Sequence, residues 1–277
     1  KVLERAGIRP DIIVGTSIGA IVGGLYAAGY TADELDTVFS QQQWLSLLTD
    51  RNDKYSGEPY VQDNGVTYIF GFPVIDKNNP AIGVLRGGRV EQVLDSMLTA
   101  RNGAQFDLLP TSFACIAAEM VSAEEVVLSQ GFVPKAIRAS MAIPGIFKPV
   151  DIDGRKLVDG GMMNILPVDV ARQMGADIVI AIDLQQNKPQ NRKPSNSPLL
   201  GLADAVGLGG VANWVASRPD ITKYNENRAS ADIYVNPPLS DQSVTSFGNN
   251  NMREMIVVGE QTMLEKWDEL MKLKTSM

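Results

Sequence analysis

The stretch Ile12-Ile13-Val14-Gly15-Thr16-Ser17-Ile18-Gly19-Ala20 decides the fold of this 277-residue chain. It opens with three β-branched residues, a short apolar run typical of a buried parallel strand. Residues 18–30 contain no proline and repeat apolar side chains at helical spacing, which predicts a helix. Glycines on both sides of Ser17 remove steric bulk, as a serine at a sharp turn from strand to helix requires. We therefore predict a strand, a tight turn that carries Ser17, and a helix.

The sequence contains no histidine, which limits the chemistry open to Ser17. A serine nucleophile needs a group that accepts its proton, and histidine is the usual one. In this chain the base must be a carboxylate, a lysine or a group supplied from outside. A structural interpretation also stays open, in which the glycines only let a helix pack closely on a sheet and Ser17 caps that helix.

Asp159 is the strongest acidic candidate for the base. Asp153-Gly154 predicts a tight hairpin turn, and residues 156–158 predict the strand that returns from it. Asp159 stands at the end of this strand, where Gly160 and Gly161 allow backbone angles that other residues avoid. The alternative is that Asp159 only bonds its own backbone in a turn, as the aspartates of Asp-Gly sequences often do.

Taken together, these residues resemble the patatin-like lipid acyl hydrolases, which are related in fold and chemistry to cytosolic phospholipase A2. The family combines a Gly-x-Ser-x-Gly elbow, here residues 15–19, with an Asp-Gly-Gly or Asp-Gly-Ala motif, here residues 159–161. The likeness includes residues 136–145 and 164–168 and extends over residues 1–184. Linked motifs in the family's order are far more specific than either motif alone.

The resemblance implies a three-layer α/β fold, with a mixed, mostly parallel sheet between helices, and a Ser-Asp dyad that works without histidine. Ser17 is then the expected nucleophile and Asp159 its partner in hydrolysing a phospholipid or lysophospholipid ester through an acyl-enzyme. Ile18 is expected to donate its N–H to the oxyanion. Four glycines are expected to set the geometry of the two motifs: Gly15, Gly19, Gly160 and Gly161.

The ordinary pKa of an aspartate is about 3.9, which makes it a weak base at neutral pH. We therefore expect Asp159 to lie in a dry environment that raises its pKa. The dyad chemistry calls for no metal or other cofactor, and the sequence shows no acidic cluster with the spacing of a calcium loop.

The family resemblance also implies a β-strand and a glycine-rich loop ahead of Lys1 that supplies further oxyanion donors. The sequence begins too late to contain this loop, so we expect it upstream. One oxyanion donor is worth on the order of 10²–10³ in rate. An alternative function is therefore a catalytically silent patatin-fold module that binds lipids or a partner.

Length and composition fit one α/β domain over residues 1–277, because 44% of the residues are hydrophobic and can form a large core. The formal net charge of −7 argues against a nucleic-acid partner and against electrostatic docking on anionic membranes. Contact with a membrane surface is therefore expected to be hydrophobic. The single cysteine, Cys115, excludes an internal disulfide and is expected to be a buried strand residue. The oligomeric state stays open.

Two segments are predicted to leave the main fold. Residues 50–85 contain polar turns around a short strand at 66–70 and predict an insertion or lid. This insertion is similar to that of bacterial family members placed before an outer-membrane barrel. Because cytoplasmic members exist too, the compartment stays open between the cell envelope, periplasmic or outer-membrane-associated, and the cytoplasm. Residues 185–198 are polar and contain prolines, which predicts a mobile loop.

A second enzyme class is suggested by Asp151-Ile152-Asp153-Gly154, which resembles the start of the haloacid-dehalogenase phosphatases, where magnesium assists an aspartate nucleophile. The fit is poor, because Lys148-Pro149 breaks the apolar strand that should precede the motif.

Two further predictions concern helices. Thr31 and Glu34 predict a capping box. Residues 252–273 predict one amphipathic helix.

Overall fold

A computed structural model of the chain describes residues 1–48, 50, 52–63, 66–69, 72–74, 85–144, 147–185, 221–239 and 249–276. The strands are β1 (Ile12–Thr16), β2 (Val61–Asp63), β3 (Val66–Ile69), β4 (Phe72–Val74), β5 (Ser112–Glu119), β6 (Glu125–Leu128), β7 (Val150–Ile152), β8 (Arg155–Asp159), β9 (Ile180–Ile182) and β10 (Ile233–Val235). The helices are α1 (Val2–Ala6), α2 (Ile18–Ala27), α3 (Ala32–Gln41), α4 (Trp44–Leu48), α5 (Gly88–Thr99), α6 (Val133–Ser140), α7 (Val168–Gln173), α8 (Ile221–Ser230), α9 (Asn249–Leu264) and α10 (Trp267–Ser276).

The largest sheet contains five strands in the described part of the chain and is organised around β5. The strand order is β1-β5-β8-β7, and β6 also pairs with β5. The β1–β5 pair is parallel, as is the separate β9–β10 pair, while β6 and β8 run antiparallel to β5. The expected α/β class and mixed sheet are confirmed, and the parallel β1–β5 pair carries the predicted elbow. A five-residue connection joins β5 to its antiparallel neighbour β6, and a two-residue turn joins β7 to β8, whereas β8 reaches β5 only after α6 and β7.

The strand-turn-helix prediction for residues 12–30 is confirmed, although α2 ends at Ala27. A side chain on either of two buried glycines in α2 would collide with its neighbours. A Cβ on Gly23 would lie 2.9 Å from Ile13 Cγ2, and one on Gly24 would lie 2.6 Å from Ile137 Cδ1. These glycines therefore let α2 approach both the sheet and α6 closely.

Asp153 and Gly154 form the predicted turn between β7 and β8, with φ angles of 52° and 75°. Two consecutive residues with positive φ are typical of a two-residue hairpin turn. Asp151 Oδ1 accepts the N–H of Gly154 at 3.2 Å. Asp151 therefore lies in an antiparallel strand, and its carboxylate stabilises the turn that follows. A carboxylate used in this way does not fit the nucleophile of the phosphatase interpretation.

The prediction of a single helix over residues 252–273 is wrong. The chain turns at Glu265 and Lys266, and the N–H of Lys266 bonds to the carbonyl of Met263, three residues back. This bond interrupts the α-helical hydrogen-bond pattern between α9 and α10, and α10 packs against α1. Leu270 of α10 is completely buried there, in a cluster that includes Val2.

Several smaller predictions are confirmed. Thr31 Oγ1 accepts the N–H of Glu34 at 3.2 Å, and Glu34 Oε2 accepts the N–H of Thr31 at 2.8 Å, which completes the capping box. Cys115 lies buried in β5, and burial raises the pKa of its thiol.

The described part of the predicted insertion forms an antiparallel sheet of β2, β3 and β4. Its role as a lid stays a prediction, since residues 75–84 lie outside the described residues, as does the expected mobile loop apart from Gln185. No helix among the described residues is long and apolar enough to cross a membrane.

Candidate active site

Ser17 occupies a strained turn between β1 and α2, with φ 57° and ψ −119°. Such backbone angles cost a non-glycine residue on the order of 1–3 kcal/mol and persist only where the surroundings hold them. The turn is so tight that a Cβ on Gly15 would lie 2.3 Å from the carbonyl oxygen of Gly19. A Cβ on Gly19 itself would meet no atom within 4 Å. Packing therefore requires glycine at position 15 and leaves open space beside position 19.

Strand β5 brings Ser17 and Asp159 together across a sequence separation of 142 residues (159 − 17). β1 pairs along β5 as far as Thr16, which stands opposite Ile116. The next residue of β5, Ala117, pairs with Asp159 at the end of β8. Because β6 occupies the other edge of β5 over residues 115–118, β1 and β8 share one edge and meet end to end. The residue after β1 and the last residue of β8 must therefore be neighbours.

The hydroxyl of Ser17 lies beside the carboxylate of Asp159. The N–H of Gly161 donates to Asp159 Oδ1 at 2.7 Å. Burial raises the pKa of Asp159 to about 6, although the Ser17 hydroxyl and the Gly161 N–H both favour the charged carboxylate. A carboxylate that is dry and has a raised pKa is a better proton acceptor at neutral pH than an exposed one.

The glycines that follow Asp159 are required by close contacts. A Cβ on Gly160 would lie 2.3 Å from the carbonyl oxygen of Ile116. A Cβ on Gly161 would lie 3.0 Å from Asp159 Oδ1 and 2.8 Å from Ile165 Cδ1. A larger residue at position 160 would push the end of β8 away from β5, and one at position 161 would crowd the Ile165 side chain and the Asp159 carboxylate.

Ile18 begins α2 directly after Ser17. The first helical hydrogen bonds go from the N–H groups of Ala20 and Ile21 to the carbonyl of Ser17. The N–H of Ile18 therefore precedes the helical hydrogen-bond ladder, at the end of the helix where the backbone dipoles favour negative charge. This is the position that an oxyanion donor next to the nucleophile needs.

Three backbone hydrogen bonds around Ser17 and Asp159 were not predicted from the sequence. Ser140 Oγ accepts the N–H of Ser17 at 3.0 Å, Thr16 Oγ1 donates to the carbonyl of Asn164 at 2.8 Å, and the N–H of Asp159 donates to the carbonyl of Ala142 at 3.0 Å. The partners of these bonds lie in residues 136–145 and 164–168, which the family resemblance includes. The sequence alone does not show which group a buried hydroxyl or carbonyl will bond.

A buried polar network holds the segment that contains Asn164. Its side-chain Nδ2 donates to Asp169 Oδ1 at 2.8 Å, and Asn227 Nδ2 donates to Asn164 Oδ1 at 3.1 Å. Lys223 forms ion pairs with Asp169 and Glu125. The residues next to the elbow are thus tied to α7 and α8. Within the described ranges, no cluster of three or more aspartate, glutamate or cysteine residues could hold a metal ion.

The site thus places a strained serine, at a turn from strand to helix, beside a buried aspartate on the same sheet of an α/β protein. Comparison with known proteins identifies the family. The model of the patatin-like phospholipase family matches residues 1–172, and the chain belongs to this family.

Curated relatives agree with this assignment. An uncharacterised NTE family protein of Mycobacterium tuberculosis is 31% identical over 184 residues, which cover 66% of this chain and 43% of the relative. A lysophospholipase of Emericella nidulans is 26% identical over 266 residues, 90% of this chain and 16% of the relative. The patatin-like phospholipase domain-containing protein 6 of Homo sapiens is 29% identical over 186 residues, 66% of this chain and 12% of the relative. The chain thus spans less than half the length of each of these relatives.

Proposed function

We propose that this protein hydrolyses the carboxylic ester bonds of phospholipids or lysophospholipids through Ser17 and Asp159. The placement of the Ser17 hydroxyl beside the buried Asp159 carboxylate, where the ends of β1 and β8 meet on β5, carries the proposal. Family membership supports a lipid substrate, and the Emericella relative, a lysophospholipase by name, supports a lysophospholipid in particular.

The proposed reaction has two steps. Ser17 Oγ attacks the ester carbonyl carbon while Asp159 accepts the hydroxyl proton, and the N–H of Ile18 stabilises the oxyanion. The bond from the carbonyl carbon to the leaving oxygen breaks, and Asp159 gives the proton to the departing alkoxide of the lysophospholipid or, from a lysophospholipid substrate, of the glycerophosphodiester. Water then loses a proton to Asp159 and attacks the acyl-enzyme. The bond to Ser17 Oγ breaks, Asp159 gives this proton to Oγ, and the fatty acid is released.

The open space beside Gly19 supports this assignment of roles. A Cβ there would meet no other atom of the described residues within 4 Å, and Gly19 directly follows the proposed oxyanion donor. We propose that substrate occupies this space at a membrane surface, with its ester carbonyl oxygen on the N–H of Ile18.

The proposal is tested by measuring fatty-acid release from lysophosphatidylcholine micelles and from phosphatidylcholine vesicles, with EDTA present, in the full-length protein. Ser17→Ala and Asp159→Asn are each expected to lower the rate by at least about 10³-fold, as loss of a dyad member does in other serine hydrolases. Asp151→Asn, in strand β7 beside the hairpin turn, serves as the control for the aspartate and should keep the full rate.

Activity that survives in either dyad variant would contradict the proposed mechanism. A folded wild-type protein that binds both lipids without releasing fatty acid would instead support the silent binding module.

A further inference from the structure

Ser140 is the last residue of α6 and is completely buried. Its hydroxyl makes two hydrogen bonds, neither of them within its own helix. Oγ accepts the N–H of Ser17 at 3.0 Å and donates to the carbonyl of Ile116 at 2.6 Å. One hydroxyl thus joins the backbone of the elbow to the point on β5 where β1 and β8 meet.

The N–H of Ser17 is a useful point at which to hold the elbow. It belongs to the peptide group that precedes the N–Cα bond, so fixing its direction constrains the rotation that sets φ of Ser17. That φ is 57°, an angle a serine rarely adopts. The acceptor on this N–H also satisfies a donor that the tight turn removes from ordinary strand pairing.

The same segment also holds the base. The carbonyl of Ala142, two residues after Ser140, accepts the N–H of Asp159 at 3.0 Å. Residues 140–142 therefore bond the backbone of both Ser17 and Asp159, in addition to the contacts that β5 provides.

Buried contacts hold helix α6 in place, so α6 can fix the position of Ser140. Arg138 lies buried two residues before Ser140, and its Nη2 donates to the carbonyls of Arg86 and Lys148 at 2.5 and 3.3 Å. Its guanidinium also lies over the ring of Phe147, 4.9 Å from the centroid. These contacts tie α6 to the chain before α5 and to the chain before β7.

We propose that Ser140 is a positioning residue of the active site. Its hydroxyl holds the backbone of Ser17 in the elbow conformation and so keeps Ser17 Oγ within hydrogen-bond reach of Asp159. The inference rests on the proposed function, because it assigns Ser140 a role in that chemistry. Since Ser140 contacts the dyad through backbone and has no exposed surface, it should affect the chemical step and not substrate binding.

The test compares Ser140→Ala with Ser40→Ala in the full-length protein. Ser40 is also a buried helical serine, but its hydroxyl donates within its own helix, to Asp36 Oδ1 at 2.9 Å. We measure kcat and KM for a soluble p-nitrophenyl ester, and the rate at which a fluorophosphonate labels Ser17. Ser17→Ala is included to confirm that both readouts report on Ser17.

Ser140→Ala is expected to lower kcat and the labelling rate by about tenfold or more with KM unchanged, because small misplacements of a nucleophile cost this much. Ser40→Ala should change neither. Ser140→Cys, which keeps the side-chain size but bonds weakly, should also be slow and covers the case in which the alanine variant does not fold.

Equal rates in Ser140→Ala and Ser40→Ala would overturn the inference, as would a wild-type rate in Ser140→Cys. Those outcomes leave the proposed function standing if Ser17→Ala is inactive and unlabelled. Activity or labelling in Ser17→Ala would overturn the proposed function and this inference together.

Discussion

The raised pKa of Asp159 is the single-residue property on which the proposed chemistry depends most. Burial favours the protonated carboxyl, whereas the nearby Ser17 hydroxyl and the hydrogen bond from the N–H of Gly161 favour the charged form. The resulting pKa of about 6 keeps most of the carboxylate charged at neutral pH while making it more basic than an exposed aspartate. A chain without histidine thereby obtains a base that titrates near the range in which histidine usually does.

The pH dependence of activity should follow from this pKa. The proposed base works only as the carboxylate, so kcat/KM is expected to fall about tenfold per pH unit below a midpoint near pH 6. The measurement is a pH profile of soluble-ester hydrolysis from pH 4 to 9, with stability checked at each point. An acid limb centred near pH 4 would mean that burial does not raise the pKa of this group.

The same residue should lower the stability of the fold. Between about pH 4 and 6 the folded chain holds a proton on Asp159 that the unfolded chain has released, so stability falls as pH rises through this window. Above it the cost is constant, at about 3 kcal/mol for a shift of about two pKa units. Asp159→Asn is neutral at all pH values and should therefore be inactive yet more stable than wild type.

Urea unfolding at pH 7.5 and at pH 3.5 tests this expectation. The free energy of unfolding of Asp159→Asn should exceed that of wild type by up to about 3 kcal/mol at the higher pH and nearly equal it at the lower. An equal or lower stability at pH 7.5 would count against a costly buried charge.

The turn between β1 and α2 shows how close packing restricts which residue can occupy a position. Gly15 faces the carbonyl of Gly19 so closely that no Cβ fits, whereas a Cβ on Gly19 has open space. Gly15→Ala is therefore expected to open the elbow and to destabilise the protein by more than about 2 kcal/mol. Gly19→Ala should leave stability unchanged or slightly higher, because alanine is the better helix former.

Thermal unfolding of the two variants measures their stability, and fluorophosphonate labelling measures the reactivity of Ser17. Gly15→Ala should lose both stability and labelling. Gly19→Ala should stay folded. If substrate occupies the space beside position 19, this variant should lose more activity, relative to wild type, with a bulky phospholipid than with a small ester. Matching stability losses in the two variants would show that the tight contact at Gly15 is not what shapes the turn.

The elements also show which features a sequence can reveal. The elbow and the hairpin before Asp159 were predictable, because glycines and β-branched residues constrain the chain locally. The break between α9 and α10 was not, because Met263 and Leu270 are seven residues apart and so keep the same face in one helix or two. Ser140 was also missed, since its hydroxyl acquires its role only when α6 packs beside the elbow.

For the molecule as a whole, residues beyond the family match complete the core beside α1. Leu270 of α10 and Met263 of α9 form a buried cluster with Val2, Ala6 and Ile233. Lys274 Nζ also donates to the carbonyl of Ala6 at 2.7 Å. The two ends of the described chain therefore stabilise each other, while the dyad is built from residues 12–19 and 155–161.

Leu270→Ala should show this dependence. Removing a completely buried leucine is expected to lower the free energy of unfolding by about 2–5 kcal/mol. Leu264→Ala is the matched control, because Leu264 is 40% exposed at the end of α9 and should cost less than about 1 kcal/mol. Urea unfolding of both variants measures the difference, and similar losses would mean that α10 does not close the core at α1.

The most direct test of the proposed Ser17–Asp159 dyad is to map the site of fluorophosphonate labelling by mass spectrometry in wild type, Asp159→Asn and the control Asp151→Asn. We expect a single adduct on Ser17, formed at the same rate in wild type and Asp151→Asn and at least about 10³ times more slowly in Asp159→Asn. Unchanged labelling of Ser17 in Asp159→Asn, or an adduct on another residue, would contradict the dyad.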